Sequence, residues 1–312
     1  MTEAFPAQTI PHLRPADPVA PVADPPLLMG ILNLTPESFS DGGQFLANGA
    51  VDVPRVAAAA LAMAKAGADI IDVGAEATSF HRPGVLPVPP QEQIRRLSTT
   101  LMQTRRTLDE HGLKAVALSI DTRSADVAKY ALDQGVDMIN DVSGGRADPA
   151  MLTTAAAAGC PVILMHAWQE SPDQTPAPHS DVLADVVTEL RQMKAAALVA
   201  GVKADRIILD PGIGFGKTAD DNWRILRGIS TLGGIESPIA LGVSRKRITR
   251  DILPPDMQNW PHRDIATAII IAAIASAPVA IFRVHDIRLA KVALSAVSRL
   301  KPSPATRTQT YE

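Results

Sequence analysis

The 312-residue sequence contains a single cysteine, Cys160. A lone thiol forms no internal disulfide, which excludes the disulfide-stapled secreted class and points to a reducing compartment, the cytoplasm by default. An excess of one charge is also missing. The 30 basic and 33 acidic side chains give a formal net charge of -3, so there is no broad cationic surface and nucleic acid is not expected as a partner. No signal peptide is read at the start: the first 26 residues hold Pro6, Pro11, Pro15, Pro18, Pro21, Pro25 and Pro26 and no apolar block behind a basic segment. They are read as a flexible proline-rich tail. The uncharged stretch 265–282 is about long enough to span a bilayer. Pro278 and its many alanines divide it instead into a buried helix up to about Ser276, a short turn and a buried strand from Val279, and no membrane partner is expected.

Catalytic signatures are thin as well. The seven histidines show no H-E-x-x-H or paired spacing, and one cysteine cannot build a thiolate zinc site. Ser244, in LGVSRK, lacks the G-x-S-x-G elbow of a serine nucleophile. The segment LDPGIGFGKT (209–218) ends as a phosphate loop does, but Pro211 stands where that loop needs glycine, so ATP binding is not expected. Its glycines either let backbone pass beneath a planar ligand lined by Phe215 or form a plain turn.

What is present is 46% hydrophobic and 20% charged residues, enough for one large core. Aliphatic runs at 27–34, 69–74, 115–122, 137–142, 161–167, 206–210, 238–244 and 279–286 read as strands. Helix-compatible segments lie between them, among them 53–68, 124–135, 181–201 and 221–232. Repeated strand-then-helix units with near-continuous apolar strands imply an α/β fold, a (β/α)8 TIM barrel over 27–302, followed by a C-terminal tail over 303–312. An open doubly wound sheet is the alternative, but the first turn, NLTPESFSDGG, lacks the G-x-G-x-x-G fingerprint.

The active face of such a barrel lies at the carboxyl ends of its strands. Polar residues stand there on nearly every candidate strand: Asn33, Asp72 with Glu76, Asp121, Asn140 with Asp141, His166, Asp210, the 244–246 turn, and Arg283 with His285. Any one of them could simply cap a helix or turn; the coincidence of so many reads as a site. Asp121, Asn140 and Asp210 accept hydrogen bonds in pairs from a flat amidine-like ring edge, with Lys246 as donor, which suggests a small fused heterocycle. Arg82, Arg283 and His285 supply cationic donors for an anionic tail. Mg2+ held through phosphate oxygens needs only one or two protein oxygens, for which Asn33 is well placed. His166 is read as a packed, hydrogen-bonded histidine and not as a base.

In order along the chain, MGILNLTPESFSDGG (29–43), DIIDVGAEAT with RPG (69–78, 82–84), SIDT (119–122), INDVSGG (139–145), DPGIGFGKT (210–218), SRKRI (244–248) and RVHDI (283–287) closely resemble the dihydropteroate synthases. The resemblance implies an enzyme of folate biosynthesis that joins 6-hydroxymethyl-7,8-dihydropterin pyrophosphate to p-aminobenzoate through an SN1-like displacement. It implies that Asp121, Asn140, Asp210 and Lys246 hold the dihydropterin, with Met165 and Phe215 against its faces. Asn33, Thr78, Arg82, Arg283 and His285 would bind pyrophosphate, Asn33 being the Mg2+ ligand. Phe39, Ser40 and Asp41 fall on a first loop that orders over the site; Phe39, Phe215, Ser244 and Lys246 would surround p-aminobenzoate. Asp41, Lys246, Arg283 and His285 carry over as the catalytic group.

The second loop departs from the family pattern: Ser79, Phe80 and His81 separate Thr78 from Arg82, and Ala77 replaces serine. This insertion either alters discrimination against sulfonamide mimics or merely lengthens a surface loop. MHAW (165–168) also departs from the family's Met-His-x-Gln-Gly. A pterin-binding methyltransferase barrel and a catalytically silent paralogue are the rival readings. The helix within 264–276 is apolar on nearly every face, which suits either a homodimer contact or burial under the C-terminal helix.

Overall fold

The computed structural model describes residues 25–35, 45–47, 50–76, 87–168 and 179–300. The tail expected over 1–26 lies outside them except for Pro25 and Pro26, and the tail expected over 303–312 lies wholly outside. Eight parallel strands close into a barrel: β1 (Leu27–Asn33), β4 (Ile70–Gly74), β5 (Ala117–Asp121), β6 (Met138–Asp141), β7 (Val162–Met165), β8 (Ile207–Asp210), β9 (Ile239–Leu241) and β10 (Val279–Val284). The small antiparallel ribbon of β2 (Leu46–Ala47) and β3 (Ala50–Val51) precedes α1 (Val53–Lys65). The remaining helices are α2 (Pro90–Glu110), α3 (Ala125–Asp133), α4 (Met151–Ala158), α5 (Val182–Val199), α6 (Ala219–Arg227), α7 (Arg247–Asp251), α8 (Trp260–Ile274) and α9 (Ile287–Leu300). The open-sheet alternative is therefore excluded by the β1–β4 and β1–β10 pairings that complete the ring.

Side chains alternate along a strand, so each strand serves two cores. Outward-facing residues such as Leu28 and Leu32, Ile71 and Val73, Leu118 and Ile120, and Phe282 and Val284 join the core shared with the helices. Inside, Met29, Ile70, Ala117, Met138, Ile163, Ile208, Ala240 and Ile281, one per barrel strand, form a separate apolar layer. This layer is the floor of the site. Two residues further along each strand the inward positions are Ile31, Asp72, Ser119, Asn140, Met165, Asp210, Gly242 and Arg283. Another step of two reaches Asn33, Asp121 and His285. The period of two thus lifts nearly every polar residue singled out in the sequence onto one end of the barrel.

Boundaries differ where local chemistry interrupts the pattern. The segment read as helix over 221–232 ends at Arg227, followed by a 3-10 stretch, Ile229–Ile235; Gly228 closes α6 directly against the Leu183 side chain, which a Cβ there would have to displace. Thr218, the end of the Gly-Lys-Thr run, caps α6: its hydroxyl accepts from Asp221 N at 3.1 Å and the Asp221 carboxylate accepts from Thr218 N at 3.1 Å. A capping box, not a nucleotide, accounts for that motif. The stretch 265–282 is divided as expected, into α8 and β10, and among the described residues no helix is long and apolar enough to cross a membrane. α8 packs against α9, yet Ile265 and Ile269 remain 43% and 56% exposed. The C-terminal helix does not cover that face.

Candidate active site

At the carboxyl end of the barrel, buried charges are wired to one another across the bore. Asp72, fully buried, accepts from Arg283 Nε at 2.6 Å and from Asn140 Nδ2 at 2.9 Å on the same oxygen. Arg283 Nη2 donates to Asp121 Oδ2 at 2.7 Å. Two carboxylates therefore share one guanidinium, away from water. Burial pushes the Asp121 carboxyl up to about 7, outweighing the opposing pull of Arg283. Asn33 Oδ1 and the Asp121 carboxylate both border Gly74, on the strand between them.

Opposite them stands Asp210. Its Oδ1 accepts from the Gly212 backbone N–H at 2.7 Å, and burial raises its pKa. Gly212 has a φ of 67°, and a Cβ there would overlap the His166 carbonyl oxygen. Only glycine allows the chain to turn so close to β7. Lys246 Nζ donates to the Ile213 carbonyl at 2.7 Å and lies 4.6 Å from the centre of the Phe215 ring. Burial pushes this amine down to about 8. Val142, Met165 and Ala167 form a small apolar cluster on which Phe215 packs. Acceptors, a cationic donor and an apolar wall thus face a space suited to a flat polar ring.

The next strand end is built differently from the expectation. Ser244 Oγ accepts from the His285 backbone N–H at 3.1 Å and lies 2.8 Å from His285 Nδ1. The hydroxyl can donate its one proton to Nδ1 or accept a second hydrogen bond from it, according to the tautomer of the ring. Burial, with Arg245, Arg283 and Lys246 nearby, holds the His285 pKa well below its usual value. His285 is therefore a neutral imidazole, not the cation that the sequence suggested. Arg283 is the charged group of the pair.

The chain matches the pterin binding enzyme family over residues 29–285. It is 39% identical to the dihydropteroate synthase of Mycobacterium leprae over 285 residues, 88% of this chain and 93% of that protein. The chain belongs to the dihydropteroate synthase family. Among solved members, the Anaplasma phagocytophilum dihydropteroate synthase with bound 6-hydroxymethylpterin-monophosphate has 36% identity and a TM-score of 0.76, covering 88% of this chain and 99% of its own. The Xanthomonas albilineans enzyme in complex with 7,8-dihydropteroate has 30% identity and a TM-score of 0.74, covering 90% and 95%.

Of the residues matched to the dihydropteroate synthase motifs, Asn33, Asp121, Asn140, Met165, Asp210, Phe215, Ser244, Lys246, Arg283 and His285 gather at this one end. Phe39, Ser40, Asp41, Thr78, Arg82 and the inserted Ser79, Phe80 and His81 lie outside the described residues. His166 is packed as expected: fully buried, pushed down to about 3 by burial, with Nδ1 3.0 Å from Lys217 Nζ.

Lys217 escaped the sequence reading. Its amine reaches the carbonyls of Gly212 at 3.0 Å and Phe215 at 2.9 Å and lies 3.0 Å from His166 Nδ1 and 3.4 Å from the His166 carbonyl, tying the loop after β8 to the end of β7. Gly212, Gly214 and Gly216 all have positive φ. A glycine-rich turn of that kind leaves carbonyls without a helical or sheet partner, and asking where they are satisfied is the signal that could have found the lysine.

Proposed function

We infer that this chain condenses 6-hydroxymethyl-7,8-dihydropterin pyrophosphate with p-aminobenzoate, yielding 7,8-dihydropteroate and pyrophosphate. The carrying observation is the polar ring over an apolar floor: Asp121, Asn140 and Asp210 in the bore, with Arg283 and His285 on the adjoining strand end. The family relationship supports the same reaction.

In this reading Asp210 takes the 2-amino and N3 hydrogens of the pterin, Lys246 donates to the ring, and Met165 and Phe215 line its faces. The guanidinium of Arg283 has five N–H groups. Asp72 and Asp121 occupy two nitrogens and hold its plane, and the remaining N–H groups serve the departing pyrophosphate. His285 adds a neutral N–H, and the arriving negative charge draws its pKa upward. The pterin shares positive charge at its exocyclic methylene, so stabilising the leaving group favours a loose, SN1-like transition state. The weakly basic aniline attacks with little prior deprotonation, and no protein nucleophile is needed. Ser244 would receive the p-aminobenzoate carboxylate by giving up its bond to His285 Nδ1.

Mg2+ fits the donor chemistry. Among the described residues no group of three His, Cys, Asp or Glu side chains could cage a metal, whereas the Asn33 amide oxygen stands at the barrel mouth beside Asp121. A hard cation there would be held by Asn33 and by substrate oxygens, and would supply charge to the leaving pyrophosphate.

The direct test supplies both substrates and follows pyrophosphate release together with dihydropteroate formation. Stoichiometric appearance of both is expected; neither appears if the chain is a methyltransferase barrel or a silent paralogue. Placement in the cytoplasm rests on the lone buried Cys160.

The uncovered apolar face of α8 supports a homodimer. Ile269→Glu places a charge in that face, and sedimentation should then show a monomer where the wild type sediments as a dimer. Identical sedimentation of the two excludes this face as the contact.

A further inference from the structure

Among the described residues other than glycine, only Glu236 and Arg245 have a positive φ, 56° in both. Left-handed backbone strains an L-residue, and it persists only where the surroundings over-determine it. Arg245 lies between Ser244 and Lys246, two residues assigned here to the two substrates.

Its surroundings come from the first two turns of α8. Asp264 receives Arg245 Nε on one oxygen and Nη2 on the other, both at 2.8 Å. The paired side chains are 15% and 6% exposed. Thr267 Oγ1 accepts from the Arg245 backbone N–H at 3.4 Å. Arg263 Nη2 donates to the carbonyls of Arg245 and Lys246, the latter at 2.8 Å, and its Nε donates to Thr249 Oγ1 at 3.0 Å. The Trp260 ring lies 5.7 Å from the Arg245 guanidinium and 4.7 Å from that of Arg263. Side chain, amide and carbonyls of this one turn are all gripped from the same helix.

We propose that Asp264 is a positioning residue for the condensation: α8 clamps the 244–246 turn through Arg245, and the clamp holds Ser244 and Lys246 in register with p-aminobenzoate and the pterin. The proposal rests on the function inferred above. Released from Asp264, Arg245 returns to an ordinary negative φ, and that rotation re-aims the residues on both sides. Ser244 then leaves His285, and Lys246 leaves Ile213 and the Phe215 ring.

Glycine separates the clamp from its consequence, because glycine holds a left-handed φ without strain. Steady-state kinetics on both substrates, with urea unfolding of each variant, make the test. D264N retains a hydrogen-bond acceptor but loses the charge, and is expected to raise both KM values with kcat/KM falling about ten- to a hundredfold. R245A should lose at least as much, and R245G should recover roughly fivefold of that loss although it lacks the same ion pair. A role confined to stability would lower the unfolding midpoint of R245A and R245G together and leave KM unmoved. KM values for D264N within about twofold of wild type, or equal kcat/KM for R245A and R245G, overturn the clamp. If R245A does not fold, D264N decides alone. A wild-type chain that forms no dihydropteroate overturns the inferred reaction and the proposal with it, so the two failures are told apart.

Discussion

Asp210→Asn is expected to lower kcat/KM for the dihydropterin substrate by about a hundred- to ten-thousandfold while leaving the fold intact. Two charge-assisted hydrogen bonds, each of about 1.5–3 kcal/mol, would be lost or weakened, and about 1.4 kcal/mol corresponds to a factor of ten. An amide at this position offers one donor and one acceptor where the ring edge presents two hydrogens, so one contact becomes a clash of donors. The fold should survive because the amide oxygen still accepts from the Gly212 N–H, which sits 2.7 Å from the carboxylate in the wild type. Stability should not fall, since the carboxylate removed is one that burial already disfavours. The measurement is initial rate against pterin concentration at saturating p-aminobenzoate, paired with thermal unfolding. A variant with wild-type kcat/KM would remove Asp210 from the pterin site.

Arg283→Met should damage both activity and stability. Arg283 is the guanidinium shared by Asp72 and Asp121, at 2.6 and 2.7 Å, with side-chain exposures of 18%, 0% and 4%. Removing one partner of a buried pair costs about 3–5 kcal/mol, because it leaves the other charge without compensation. Loss of the donor at the leaving pyrophosphate should reduce turnover by about a hundred- to a thousandfold.

The stability deficit carries a pH signature whose sign follows from Asp121. Its folded pKa is already raised to about 7 against the pull of Arg283, so removing the guanidinium raises it further. The folded variant then holds a proton that the unfolded chain gives up at about 3.9. In both proteins stability therefore falls as pH rises from about 4 toward 7; above about 7 the wild type releases that proton while the variant keeps it, so only the variant goes on losing stability. The Asp121 part of the deficit should be small near pH 5 and largest at pH 8. Urea unfolding at the two pH values checks this; an equal deficit at both would show that the arginine does not stabilise the Asp121 carboxylate.

Much of the site was readable from the chain because a barrel strand imposes a period of two. Met29 and Asn33, Ala117 and Asp121, Met138 and Asn140, Ile208 and Asp210, and Ile281 and Arg283 are each separated by an even number of residues and so share the bore. An apolar residue followed at such spacing by a polar one marks floor and rim in one dimension. His166 was legible on other grounds: it follows a fully buried strand, where neutral packed histidine is the ordinary outcome.

The pairings of charges were not legible. Asp72 stood out as a polar residue near a strand end, but its partner Arg283 is 211 residues away. His285 looked like a cation beside an anion site; its neutrality depends on the arginines and lysine that the fold packs around it. Lys217 stood in a Gly-Lys-Thr run that ends as a phosphate loop does but lacks its first glycine, and Arg245 was only one member of the polar 244–246 turn. Each acquired its role from another element: β7 for Lys217 and α8 for Arg245.

The sequence alone determined the alternation of strand and helix and the strand ends on which polar chemistry sits, because those follow from local periodicity and from which residues tolerate burial; that the sheet closes rather than staying open was decided by the pairing of β1 with β10. Only the tertiary structure decided which acid faces which base, that His285 is neutral and where the backbone is strained. Those properties depend on distances between residues far apart in the chain and on how much water each one keeps.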